Sequence, residues 1–199
     1  MSEKFRTAIA RFDAANAEDP DGEALIYAQR MSEWLEKLAP DASEALKLAA
    51  RSQHIRRWEI PRDRYPMNRA GYHRWRNELA AFHAKVAGEI LTEVGYDQSL
   101  VARVQSLLKK ERLKEDAEAQ LLEDVICLVF LEHYFAEFAK GHDEQKVIGI
   151  LRKTWRKMSD RGHEAALKLP LGEEEQRLVE KALSPGAEGE SKDQGPPRI

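Results

Sequence analysis

The stretch Leu121-Leu122-Glu123-Asp124-Val125-Ile126-Cys127-Leu128-Val129-Phe130-Leu131 constrains this chain more than any other. It is an almost wholly apolar run of helical length with two adjacent carboxylates near its start. Wound at about 3.6 residues per turn, Asp124 shares a face with Leu128, Leu131 and Phe135, and Glu123 shares one with Cys127, Phe130 and Tyr134. At least one carboxylate therefore turns toward packed apolar side chains rather than water. An isolated buried carboxylate is costly. It must be hydrogen-bonded, paired with a cation, protonated or bound to a metal.

The remainder also reads as helices. Phe5, Ile9 and Phe12 mark a first helix, which Asp19-Pro20-Asp21-Gly22 breaks. A second runs from Ala24 to Leu38. After Pro40, Asp41 or Ser43 caps a third that continues to about Trp58. An irregular loop, Glu59 to Met67, is pinned by Pro61 and Pro66. A long helix from about Arg69 to Val94 stops at Gly95, and Asp97 or Ser99 opens the next. After a charged linker, Lys109 to Glu115, the central helix spans about Ala117 to Ala139. Helices from about Glu144 to Lys157, Asp160 to Leu169 and Glu173 to Leu183 follow. There is no convincing strand, internal repeat, glycine-rich phosphate loop or zinc-type cysteine spacing. The expectation is an all-α fold: a single-domain helical bundle over residues 1–183, with a disordered C-terminal tail over 184–199 rich in Pro, Gly, Glu and Ser.

Charge narrows the function classes. The formal net charge of −3 does not describe a chain that binds nucleic acid over its whole surface, although local basic patches stay open. The N-terminus Met1 to Phe5 shows no hydrophobic signal region, and the central apolar run is too short to span a bilayer, so a cytoplasmic protein is expected. The single cysteine, Cys127, reads as a small buried hydrophobe of a reducing compartment. No Ser-His-Asp order with a nucleophile elbow occurs.

Three constellations carry chemistry. The first joins imidazoles to the central carboxylates. His83 has the helical neighbours Leu79, Ala80, Val86 and Ala87 and points inward, and His54 ends an apolar helix before the loop. Two histidines with one or two carboxylates from three helices compose a shell for a divalent ion, which would activate water and polarise a phosphoryl oxygen. The same groups also compose a purely structural hydrogen-bond network. The second constellation is basic and aromatic: Arg56, Arg57, Trp58, Arg62, Arg64 and Tyr65, then Arg69, Tyr72, His73, Arg74, Trp75 and Arg76. Guanidinium forks suit phosphate oxygens, and rings beside them stack on bases. The alternative is a solvated arginine face. The third is Lys146, Lys153 and Lys157 on one helical face, either solvated or completing an anionic pocket. His133, His142 and His163 have no such support.

The segments Gln53-His54-Ile55-Arg56-Arg57-Trp58-Glu59-Ile60-Pro61-Arg62, Gly71-Tyr72-His73-Arg74-Trp75-Arg76 and Leu122 to Phe135 resemble a widespread family catalogued as a domain of unknown function. More distantly, the helix order is similar to that of the HD superfamily of metal-dependent phosphohydrolases. The places of its metal-binding residues resemble Tyr27, Gln53-His54 and Asp124 here, and His83 resembles an additional histidine of some members. Tyr27 and Gln53-His54 depart from that family's histidine and His-Asp doublet. The resemblance implies a hydrolase of a phosphorylated small molecule or nucleotide. In it His54, His83 and Asp124 would hold manganese, magnesium, iron or zinc. Glu123 would be a second ligand or general base beside Asp124, and Arg57, Arg62, Arg64, Trp58 and Lys153 would hold the substrate. The alternative is a non-catalytic nucleotide- or RNA-binding module built on the arginine-tryptophan loop.

Overall fold

The computed structural model describes residues 2–113 and 115–184. Over these the elements are ten α-helices and two short 3-10 turns, with no strand, as the periodicity requires. The expected tail lies outside the described residues from residue 185 on. The chain divides into two compact units, residues 1–122 and 123–199. The division falls inside the apolar central helix, between Leu122 and Glu123. No helix among the described residues is long and apolar enough to cross a membrane.

The first unit holds α1 (Glu3–Ala17), α2 (Glu23–Leu38), α3 (Glu44–Arg51), α4 (Arg69–Val94), α5 (Gln98–Lys109) and the start of α6 (Ala117–His133). Side chains that satisfy free amides fix the helix starts: Ser43 accepts from Leu46 N, Asn68 from Gly71 N and Asp97 from Leu100 N. Gly95, at φ 91°, closes α4 in a conformation that costs other residues more. The long α4 packs on α5 and α1, α3 packs on α2 and α5, and Phe12, Met31, Leu48, Leu91 and Val104 are fully enclosed. Their burial is the main favourable term of this unit.

The third helix stops earlier than its apolar spacing predicts, at Arg51 rather than near Trp58. Arg56 takes a left-handed φ of 52°, which an α-helix of L residues does not accommodate. Its N–H donates to the buried Asn16 Oδ1 at 3.2 Å instead of to a helical carbonyl. A bidentate pair, Arg51 with Asp13 at 2.7 Å through both Nε and Nη2, ties the end of α3 to α1. Residues 52–56 thus become consecutive turns, and this irregular corner positions the site.

The second unit continues α6 and adds α7 (Phe135–Lys140), α8 (Glu144–Trp155), α9 (Asp160–Ala166) and α10 (Glu173–Leu183). The expected single helix to Ala139 is interrupted at Tyr134, whose φ of −127° leaves helical geometry. The hydrogen bonds Tyr134 N to Phe130 O and Phe138 N to Tyr134 O, both 3.0 Å, carry the chain across the interruption. There the Phe130 ring meets Phe135 and Phe138 edge-on. The helices α7, α8 and α10 pack on one another, and Glu144 bridges Arg177 and Lys181 on α10.

Candidate functional site

A cavity of about 130 Å³ opens in the first unit between the corner after α3, one face of α4 and the end of α5. Gln53, His54 and Arg57 come from the corner. Arg76, Leu79, Ala80 and His83 come from α4 at positions i, i+3, i+4 and i+7, a single helical stripe. Lys109 and Lys110 come from the end of α5, where Lys110 adopts a left-handed φ of 57°. Four cationic side chains therefore surround this cavity, and no carboxylate lines it.

Two hydrogen bonds fix the imidazoles. His83 Nδ1 lies 2.8 Å from the Ile55 carbonyl. A carbonyl only accepts, so Nδ1 carries the proton and the Nε2 lone pair is left as an acceptor. That Nε2 is buried and has no hydrogen-bond partner among the described residues, and the same is true of Gln53 Oε1. Arg57 Nη1 lies 3.0 Å from His54 Nε2. A guanidinium only donates, so His54 accepts there and keeps its proton on Nδ1. The His54 ring stacks on Tyr27 at 4.3 Å and lies 5.7 Å from the His83 ring.

Burial and like charge both oppose protonation here. Loss of water is the largest influence on His54, followed by Arg57, His83, Arg76 and Lys110, and together they hold it well below the usual histidine range. Burial lowers His83 to about 3, with Arg57 and Arg76 adding to the effect and the Ile55 hydrogen bond opposing it. Arg57 is itself pushed down to about 10, by desolvation first and Arg76 second. Among the described residues no carboxylate forms an ion pair with Arg57. It leans instead on the Trp75 ring, 5.0 Å from the centroid. Both imidazoles are therefore neutral acceptors at physiological pH, inside a cationic wall.

The carboxylates that dominate the sequence belong to the second unit and are buried as expected, Glu123 at 3% and Asp124 at 1% exposure. Glu123 pairs with Lys157 Nζ at 3.6 Å. Asp124 accepts from Ser159 on both oxygens: Oδ1 from the backbone N–H at 2.8 Å and Oδ2 from the hydroxyl at 2.5 Å. Ser159 is the N-cap of α9, so Asp124 anchors the start of that helix. A Cβ on Gly162 would lie 2.8 Å from Asp124 Oδ1, so only glycine leaves room for this carboxylate. Asp124 thereby ties α6 to the start of α9.

The remaining expected ligand residues separate. Arg57 lines the cavity; Arg62, Arg64, Trp58 and Lys153 do not. Arg62 donates to the Tyr65, Pro66 and Asn68 carbonyls, and Arg64 to the Glu59 carbonyl, so both brace their own loop. Trp58 is half-buried in the 3-10 turn after Arg56, and Lys153 lies on α8 of the second unit. Arg76 belongs to the basic and aromatic constellation and Gln53 to the place of the family doublet, although neither is among the ligand groups named from sequence, and Lys109 and Lys110 read only as a linker. The spacing of seven between Arg76 and His83 carried a signal for Arg76. The lysines had none, because only the pairing of α5 with α4 brings them to the cavity.

The donor atoms expected to hold a divalent ion are partly committed to other partners. His54 Nε2 accepts from Arg57 and both Asp124 oxygens accept from Ser159, which leaves the His83 Nε2 lone pair as the one of these without a partner among the described residues. Among the described residues no three His, Cys, Asp or Glu side chains are grouped so as to hold a metal. The cationic wall opposes a second cation.

Fold and site together define an all-α protein with a basic pocket built on a turn between two helices. The chain belongs to the family described as Domain of unknown function (DUF4202), whose model it matches over residues 6–179. Neither curated proteins nor solved structures give a match to it.

Proposed function

We propose that this chain binds a phosphorylated small molecule or nucleotide in the pocket of the first unit. The observation that carries the reading is the composition of the pocket wall: Arg57, Arg76, Lys109 and Lys110 around one cavity, with no carboxylate. Concentrated like charge in a partly desolvated site is unfavourable unless an anion offsets it. Arginine forks bind phosphate oxygens bidentately, and lysines add point charge. The size of the cavity, about 130 Å³, favours a small ligand over an RNA strand, which needs a long groove.

Binding without turnover is the reading the chemistry favours over hydrolysis. A hydrolase needs a base for the attacking water, and the His83 imidazole, held at about 3, is a poor one. No carboxylate of the lining replaces it. Equilibrium binding of AMP, ADP and inorganic phosphate, with a parallel assay for phosphate release with and without manganese, tests this. Saturable binding that Arg57→Met weakens about tenfold or more, without phosphate release, is expected. Turnover would restore the hydrolase reading, and absence of binding to every probe would overturn both.

A further inference from the structure

We propose that the ligand of this pocket is a sugar phosphate: a phosphate ester whose organic part carries several hydroxyl groups, selected by His83 and Gln53. The inference rests on the phosphate-binding reading above and deepens it. A phosphate dianion satisfies the cations of the wall, but it brings no hydrogen to donate. The wall also holds two acceptors that cations do not serve. His83 Nε2 is an acceptor by the tautomer that Ile55 imposes, and Gln53 Oε1 is an acceptor by its chemistry. Both residues line the cavity, both are more than nine-tenths buried, and neither atom has a partner among the described residues. Buried acceptors of this kind are as a rule satisfied in the functional state.

The groups that satisfy them must be neutral donors. An ammonium would be repelled by Arg57, Arg76, Lys109 and Lys110, as would a metal ion. Hydroxyl and amide-type N–H groups remain. A nucleobase would offer N–H donors, but base recognition in protein sites leans on aromatic stacking. No phenylalanine, tyrosine or tryptophan lines this cavity, and one face of His54 is already covered by Tyr27. The aliphatic part of the wall, Leu79, Ala80 and Leu108, suits the carbon skeleton of a sugar. Neither acceptor is open to solvent in this conformation, so engaging them takes a local side-chain shift of the kind that commonly accompanies binding.

Calorimetric titration of the full chain with four probes tests this: inorganic phosphate, glucose 6-phosphate, unphosphorylated glucose and AMP. Glucose 6-phosphate is expected to bind about tenfold or more tightly than inorganic phosphate, and also more tightly than AMP. Gln53→Met and His83→Asn should remove most of that advantage while leaving affinity for inorganic phosphate unchanged. Asparagine keeps an N–H near the His83 Nδ1 position and has no acceptor at the place of Nε2. Should His83→Asn not fold, Gln53→Met carries the test alone. Equal affinity for phosphate and glucose 6-phosphate, tighter binding of AMP, or variants that leave the preference intact would each overturn the sugar-phosphate assignment. If all four probes fail to bind, the phosphate-binding reading fails with it, which distinguishes the two outcomes.

Discussion

Arg57 holds a charge that the folded chain does little to stabilise. Desolvation and Arg76 both disfavour it, and its compensation is an imidazole lone pair and the Trp75 ring. Replacing such a charge by an apolar chain of similar length is often neutral or stabilising. Arg57→Met is therefore expected to keep or raise the denaturation midpoint of the ligand-free protein, with any loss below about 1 kcal/mol, while phosphate binding collapses. Arg62 should behave in the opposite way. Its guanidinium holds three carbonyls of its own loop, so Arg62→Ala should cost about 1–2 kcal/mol in urea unfolding and leave phosphate affinity unchanged. The two imidazoles add a pH dependence with a definite sign. Both are harder to protonate in the folded chain than at the ordinary value of 6.5, so the unfolded chain takes up protons first on acidification. Their contribution to stability is complete above pH 6.5 and is lost as pH falls below it, for His83 down to about 3 and for His54 over a range that also lies well below 6.5. The slope approaches about 1.4 kcal/mol per pH unit for each imidazole. Unfolding curves collected across that range check it, and His83→Asn should flatten the slope.

At the scale of elements, the carboxylate at the head of the apolar helix acts on a second helix. Asp124→Ala strands the Ser159 N–H and hydroxyl at the start of α9 and should cost about 2–3 kcal/mol, whereas Asp124→Asn, which keeps one acceptor, should cost less. Gly162→Ala should destabilise by about 1–3 kcal/mol, because its Cβ would fall 2.9 Å from the Asp124 carboxyl carbon. Chemical denaturation of the three variants measures these costs. Burial of at least one carboxylate was legible from helical spacing alone; the partner of Asp124 was not, since Ser159 lies 35 residues away in sequence. The same limit explains the third helix. Its apolar spacing runs on past Arg51, and the stop depends on an Asn16 side chain that accepts the Arg56 N–H from 40 residues off. Helix starts, by contrast, were readable where a short polar side chain precedes the helix, as at Ser43 and Asp97, because capping is local. Gly71 shows a close approach that composition hides: a Cβ there would lie 2.1 Å from the Pro66 carbonyl oxygen, so the loop that Arg62 braces presses directly on the start of α4.

For the whole molecule, a slightly negative net charge coexists with one strongly positive cavity. The sequence placed Tyr27, Gln53-His54, Asp124 and His83 at corresponding positions of one site; the fold gathers Tyr27, Gln53, His54 and His83 in the first unit, and Asp124 belongs to the second. It misjudged what surrounds them, because Lys109 and Lys110 read as a linker until the pairing of α5 with α4 is known. The proposed phosphate binding would rest on electrostatic attraction, so affinity should fall as ionic strength rises. The most direct measurement is a crystal structure of the chain grown with glucose 6-phosphate. The account predicts phosphate density against the Arg57 and Arg76 guanidinium groups, with the sugar toward His83 and Gln53. A phosphate bound elsewhere on the surface, with only water between Arg57 and Arg76, would contradict it.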